Sequence, residues 1–323
     1  MIYDLVLKIG HDYAGSVADA RHVLRVRPRT EPGQRVVSSA LAVAPEPDES
    51  FAEADFFGNP MDSATLYRPH SRLDLEMRAR VEVSRRAVDL AATPPLGRLA
   101  DAARLCRSGG PDAPMHFLGR SRRIALPDPV RTYAAECLDN EAGAGAAILS
   151  LAMRIKADFA YRPGATDVGT GAAAAFAERR GVCQDFAHVM IAGLRANGIP
   201  AGYVSGFLRT DPPPGQPRLE GADAMHAWVT AWLGPDCGWV GFDPTNGVLA
   251  GDGHIAVALG RDYDDVAPVA GVLVTAGPQR SYHAVDVVPH EDPSLPMRET
   301  SATSASEKPS SSKDRKISST FSL

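Results

Sequence analysis

The stretch Gly181-Val182-Cys183-Gln184-Asp185-Phe186-Ala187-His188 holds the most chemistry in this chain, because two later segments supply what a nucleophilic cysteine needs. A thiol attacks an amide carbonyl effectively only as thiolate, so a base must take its proton. That base, usually histidine, needs an acceptor that fixes its tautomer and stabilises the imidazolium. His226 sits in Asp223-Ala224-Met225-His226-Ala227-Trp228, and Asp243 in Gly238-Trp239-Val240-Gly241-Phe242-Asp243-Pro244-Thr245-Asn246-Gly247. The order cysteine, histidine, aspartate predicts a nucleophile, a general base and an orienting acid.

Each residue has a bland reading when taken singly. A lone cysteine is usually a small buried apolar side chain, and Cys106, Cys137 and Cys237 are read that way. Cys183 differs because it begins a helix, where unpaired N–H groups and the positive end of the dipole favour a thiolate. His226 alone is a core histidine, and Asp243 alone a turn acid before Pro244. Two strands, Ala227–Leu233 and Trp239–Phe242, read as a hairpin around Gly234 to Cys237. That loop pairs Leu233 with Gly238 and sets Asp243 opposite Trp228, diagonal to His226 on the same face. A loop one residue longer would separate the two side chains. Asp185 and His188, spaced as helical neighbours, read as a capping carboxylate and a structural or surface histidine.

The elements that must position these residues are legible as patterns. Residues 1–88 read as β structure: Tyr3–Ile9, His22–Val26, Arg35–Val43 and Leu73–Val83 alternate with period two, which predicts an antiparallel sandwich. His11 and Tyr13 within it read as packing. Residues 89–143 read as a helical connector, with helices from Pro94-Pro95 to Leu105 and from Pro127-Asp128-Pro129 toward Leu138. In the third unit, 144–289, Ile148, Leu151, Ala152, Ile155 and Phe159 form a helical stripe. An Ala-rich helix, Gly171 to Arg180, precedes the helix from Cys183 to Asn197. Strand-like runs follow at Ala201–Leu208, Ala227–Leu233, Trp239–Phe242, Ile255–Leu259, Gly271–Thr275 and Ala284–Val288. The proline-rich Pro212 to Pro217 reads as an exposed loop, and the Ser/Thr-rich 290–323 as a disordered tail. The fold class is α+β.

Composition narrows the function. The chain has 323 residues, 44% hydrophobic, with a formal net charge of -5, which gives no global attraction to nucleic acid or anionic membrane. Four scattered cysteines without a Cys-x-x-Cys pair fit a reducing compartment better than a disulfide framework or structural zinc. The opening residues read as a strand and not as a signal peptide, and no uncharged apolar run approaches membrane-spanning length. A cytoplasmic protein without cofactor or metal is the expectation.

Residues Gly181 to Ala187, Gly198-Ile199-Pro200-Ala201, Tyr203-Val204-Ser205-Gly206, Ala222 to Trp228 and Gly238 to Gly247 closely resemble the bacterial transglutaminase-like superfamily. Gly260-Arg261-Asp262-Tyr263-Asp264-Asp265-Val266-Ala267-Pro268 is similar to its C-terminal stretch. Leu24 to Pro28 and Phe57-Gly58-Asn59 resemble its bacterial N-terminal domain. The resemblance implies a papain-like core, a helix bearing the catalytic cysteine packed on an antiparallel sheet, with Cys183 as nucleophile, His226 as general base and acid, and Asp243 as orienting acid. Animal transglutaminases place an oxyanion-stabilising tryptophan before the cysteine, whereas Trp228, Trp232 and Trp239 all follow it here. The Cys183 N–H then serves the oxyanion, with Gln184 and Tyr161 as side-chain candidates. No acidic cluster is spaced as a calcium site.

The expected reaction is acyl transfer on an amide or peptide bond of a protein or peptide substrate, through a thioester. Hydrolysis, as a protease or amidase, is favoured over protein-glutamine transamidation. The competing readings are a non-catalytic binding scaffold on the same fold, and a zinc site built from Cys183, His226 and Asp243.

Overall fold

The computed structural model of the chain describes residues 1–138, 143–166, 169–210, 221, 223–274 and 277–290. Pro212 to Pro217 and the tail from 291 lie outside these residues. The two N-terminal runs expected separately, Tyr3–Ile9 and His22–Val26, belong to one long strand, β1 (Ile2–Leu24). It is followed by β2 (Gln34–Ala44), β3 (Glu49–Ala54), β4 (Pro60–Leu66) and β5 (His70–Val83). The first half of β1 pairs with β5, beyond which lies β2; the second half pairs with β4, beyond which lies β3. The β1–β5 register slips between Asp12 and Val17, and Asp19 takes a positive φ of 50°. There the strand passes from one layer to the other, so a single segment serves both sheets. The strict alternation in β5 buries Leu73, Leu75, Met77, Ala79, Val81 and Val83. β3 escaped the sequence reading because its six residues are all exposed and carry no apolar face.

The connector contains α1 (Leu96–Leu105), a 3-10 turn (Pro114–Phe117) and α2 (Asp128–Ala135). Then come α3 (Ala144–Asp158), the short β6 (Ala160–Tyr161), α4 (Ala172–Glu178), β7 (Arg180–Gly181) and α5 (Cys183–Ala196). Every residue from Asp185 to Arg195 in α5 is buried, where the sequence stripe predicted one buried side. The reason is its setting: α2, α3 and α4 pack around it while β8 (Ala201–Leu208) and β9 (Ala224–Trp232) cover the remaining side. The helix stops at Gly198, whose φ of 79° lets the Ile199 N–H return to the Leu194 carbonyl.

The core sheet is completed by β10 (Trp239–Asp243), β11 (Val248–Leu249) and β12 (His254–Gly260), in the order β11-β10-β9-β8-β12. After α6 (Tyr263–Val266) the chain leaves this sheet. The last two strands, β13 (Val269–Val274) and β14 (Gln279–Pro289), were expected within the catalytic unit 144–289. Instead both pair with β1: Leu24 faces Val269, and Leu5 faces Val287. Their alternation is local and visible, but the choice of partner is not; β1 still had an open edge in each layer. The N-terminal unit therefore contains both ends of the described chain, and His290 closes it through a 2.9 Å contact from Nδ1 to Asp4.

Two side-chain amides join the units along β12. Gln34 donates to the Ala256 carbonyl at 2.7 Å and accepts from the Ala256 N–H at 2.8 Å. Asn59 does the same for Leu259, with both bonds at 2.8 Å. These amides satisfy backbone groups that the edge strand of the core sheet would otherwise leave open.

Candidate active site

Cys183 is the first residue of α5, so its N–H has no intrahelical partner. The local chain explains the start. Asp185 turns back and accepts the Val182 N–H at 2.8 Å and the Thr166 hydroxyl at 2.6 Å. It is thus the cap that the spacing suggested. Gly181 is required for this: a Cβ there would lie 2.4 Å from the Asp185 carboxylate. His188 is fully buried, lies tilted against the Tyr203 ring at 5.1 Å and accepts the Tyr263 N–H at 3.3 Å; burial pushes it down to about 4. It is a structural histidine.

The hairpin has the even loop that the alignment of His226 and Asp243 demands. Trp239 pairs with Trp232 and Phe242 with Val229, while the Leu233 N–H meets the Gly238 carbonyl at 2.8 Å. Asp243 therefore falls opposite Trp228. Its Oδ2 lies 2.8 Å from His226 Nε2, with His226 7% and Asp243 0% exposed. Cys183 lies near enough to His226 to act on its protonation. Since Nε2 is engaged by Asp243, Nδ1 is the nitrogen left for the sulfur. Burial alone drives His226 down, but the hydrogen bond to Asp243 and the influence of Cys183 more than offset it and lift the imidazole well above its ordinary value. Asp243 is pushed up by burial, yet donors from His226, His254 and Asn246 outweigh that and hold it well below the carboxylate range.

The sequence reading missed three residues. Asn246 donates its amide to Asp243 Oδ2 at 2.7 Å, and the Thr245 and Asn246 N–H groups meet Oδ1 at 2.9 and 3.1 Å. The Asp-Pro-Thr-Asn order, a turn with its acid first, was the available signal. His254 approaches Asp243 Oδ2 to 3.1 Å from the far edge of the sheet. Nothing local marks it, because β12 and β10 are separated by two strands and meet only where the sheet curls. Gly206, paired with His226, permits that curl: a Cβ there would come within 2.2 Å of the Ile255 carbonyl and 2.6 Å of the Trp228 ring. The third is Tyr203, buried beside Cys183.

The phenols of both Tyr203 and Tyr161 are raised, first by burial and next by Cys183. Both are neutral donors near the sulfur. Tyr161 is 55% exposed, and β6 carries it alongside Gly181 at the mouth of the site. Gln184 is half-buried in the first turn of α5. The structure keeps Cys183 out of a metal-type cluster; among the described residues the group spaced as metal ligands is His226, Asp243 and His254. Cys106, Cys137 and Cys237 are free thiols in loops and turns; none is buried as expected, since Cys106 and Cys137 are half-buried and Cys237 is exposed at the tip of the hairpin loop.

This is an α+β fold in which a helix-start cysteine faces a histidine backed by a buried carboxylate. The region 131–244 matches the transglutaminase-like superfamily, and 3–82 the bacterial transglutaminase-like N-terminal region. An uncharacterized protein of Mycobacterium tuberculosis (strain ATCC 25618 / H37Rv), Rv2569c, is 38% identical over 272 residues, covering 83% of this chain and 86% of that one. The chain belongs to the transglutaminase-like superfamily. A protein-glutamine gamma-glutamyltransferase of Pseudomonas aeruginosa is 35% identical over 136 residues, 41% of this chain but 19% of that protein. The fold is shared with a Cytophaga hutchinsonii protein provisionally named a cysteine protease, with a TM-score of 0.69 at 21% identity, covering 93% of this chain and 94% of that one.

Proposed function

We propose that this protein carries out acyl transfer on amide or peptide bonds of a protein or peptide substrate, with Cys183 as nucleophile, His226 as acid and base, and Asp243 as the group that orients it. One observation carries the reading: His226 is hydrogen-bonded to a fully buried Asp243 and has Cys183, the first residue of α5, as its other charged neighbour. The thiolate forms a bond to the carbonyl carbon, and the oxygen takes the negative charge near the Cys183 N–H, with Tyr203, Tyr161 and Gln184 as neighbouring donors. As the tetrahedral species collapses, the C–N bond breaks and His226 gives its proton to the departing ammonia or amine. Neutral His226 then takes a proton from water, whose oxygen attacks the thioester. The C–S bond breaks and the thiolate returns beside the imidazolium.

Water is the favoured acceptor in this reading. Transamidation is the second reading, supported by the likeness of part of the chain to the Pseudomonas glutamyltransferase. A glutamine-containing peptide library, incubated with and without a primary amine and read by mass spectrometry, separates them. A carboxylic acid or cut peptide supports hydrolysis, and an amine conjugate supports transamidation. Absence of any product and of a Cys183 thioester, relative to Cys183→Ala, overturns both.

A further inference from the structure

His254 lies beyond the region matched to the superfamily and has no part in the reaction just written. Its ring is 5% exposed. The Gly251 N–H points at His254 Nδ1 from 3.2 Å. A backbone N–H can only donate, so Nδ1 accepts and the ring proton resides on Nε2. Nε2 then donates to Asp243 Oδ2 at 3.1 Å, the same oxygen that His226 holds at 2.8 Å. One indole fixes both rings: Trp228 meets His254 edge-on at 5.2 Å and lies nearly parallel to His226 at 6.2 Å.

The same three groups have the spacing of a metal site, since their ligand atoms all lie within 4.8 Å of one another. The tautomer decides between the alternatives. A metal needs the Nε2 lone pair of His254, which would move the ring proton to Nδ1 and set it against the Gly251 N–H. Hydrogen bonding is the arrangement the backbone selects.

We infer that His254 is a positioning residue of the acyl-transfer machinery: it clamps the Asp243 carboxylate and disperses its charge, so that His226 is oriented yet still able to release its proton. The inference rests on the proposed acyl transfer. Fewer donors on Oδ2 leave more charge facing His226, which then holds its proton more tightly and becomes a poorer acid.

The test compares wild type with His254→Phe, which removes the donor but keeps a ring, and His254→Gln, whose amide restores one. His226 is titrated by NMR, which requires no substrate, alongside turnover of the peptide found above. The expected result for His254→Phe is a His226 titration moved to higher pH and a kcat lower by roughly ten- to a hundredfold at unchanged KM, with both recovered in His254→Gln. An unchanged titration in folded His254→Phe overturns the inference. If the wild type turns over no peptide, the acyl-transfer reading fails, and with it the catalytic part of this role; the titration then reports the clamp alone. Should His254→Phe not fold, long-range nitrogen–proton spectra of the wild-type ring decide. A proton on Nε2 supports the clamp, and a proton on Nδ1 or stoichiometric zinc binding by this cluster overturns it.

Discussion

Asp243 has no exposed surface and receives five donors, from His226, His254, the Asn246 amide and the Thr245 and Asn246 N–H groups. Nothing in its surroundings tolerates a sixth donor. In Asp243→Asn either orientation of the amide sets an NH2 group against N–H groups that themselves donate. The variant should lose roughly 10³–10⁴ in turnover, as the imidazole no longer has the acceptor that fixes its tautomer. It should also lose about 1–3 kcal/mol of stability from buried donors without acceptors. Steady-state kinetics and denaturant unfolding measure the two effects separately. An Asp243→Asn enzyme that is stable and active would remove this carboxylate from the site.

The start of α5 depends on a contact between two side-chain positions. Asp185 can reach the Val182 N–H only because residue 181 has no Cβ. Gly181→Ala should therefore displace the cap and cost about 1–2 kcal/mol. The displacement acts two residues before the sulfur, so alkylation of Cys183 by iodoacetamide should slow as well. Peptide mapping of the alkylated cysteine checks this, with Gly171→Ala as a control, since a Cβ at that position meets nothing within 4 Å. A Gly181→Ala variant with wild-type stability and alkylation would show that the helix start does not need this approach.

Across the whole molecule, the N-terminal unit acts as a cover for the edge of the core sheet. Gln34 and Asn59 hydrogen-bond the backbone of β12, the strand that begins with His254. Asn59→Ala should cost about 1–3 kcal/mol, because the Leu259 N–H and carbonyl lose their partner at a buried edge. Thermal unfolding measures the loss, and a change inside ±0.5 kcal/mol would mean that water replaces the amide.

The same unit should share with buried His188 in setting the acid limit of stability. His22 is 2% exposed, and among the described residues neither ring nitrogen has a hydrogen-bond partner. Burial pushes it down to about 4, and the neighbouring His11 and His70 push in the same direction. Its folded value lies below the unfolded 6.5, so the unfolded state binds the proton first. Stability is fully present above about pH 6.5 and is lost as the pH falls toward 4, by about 3 kcal/mol for this one group. His22→Leu should flatten the pH dependence of urea unfolding between pH 6.5 and 4. An equally steep dependence in that variant would place the acid lability elsewhere.

The sequence by itself determined most of the elements and the residues that the candidate site brings together. Period-two alternation and helical stripes are local, so β5, α3, α5 and β8 lie where the pattern put them, and the loop Gly234 to Cys237 has the parity that brings Asp243 beside His226. Asp185 as a cap was likewise legible, since a cap is a contact three residues long. Only the tertiary structure decided what depends on strands distant in sequence. It sent β13 and β14 back to β1, wrapped α5 on every side, and curled the core sheet until His254 met Asp243. A chain advertises its own periodicity, but the edge on which a strand pairs and the side chains that meet across a curled sheet are settled by which surfaces remain to be buried when the layers close.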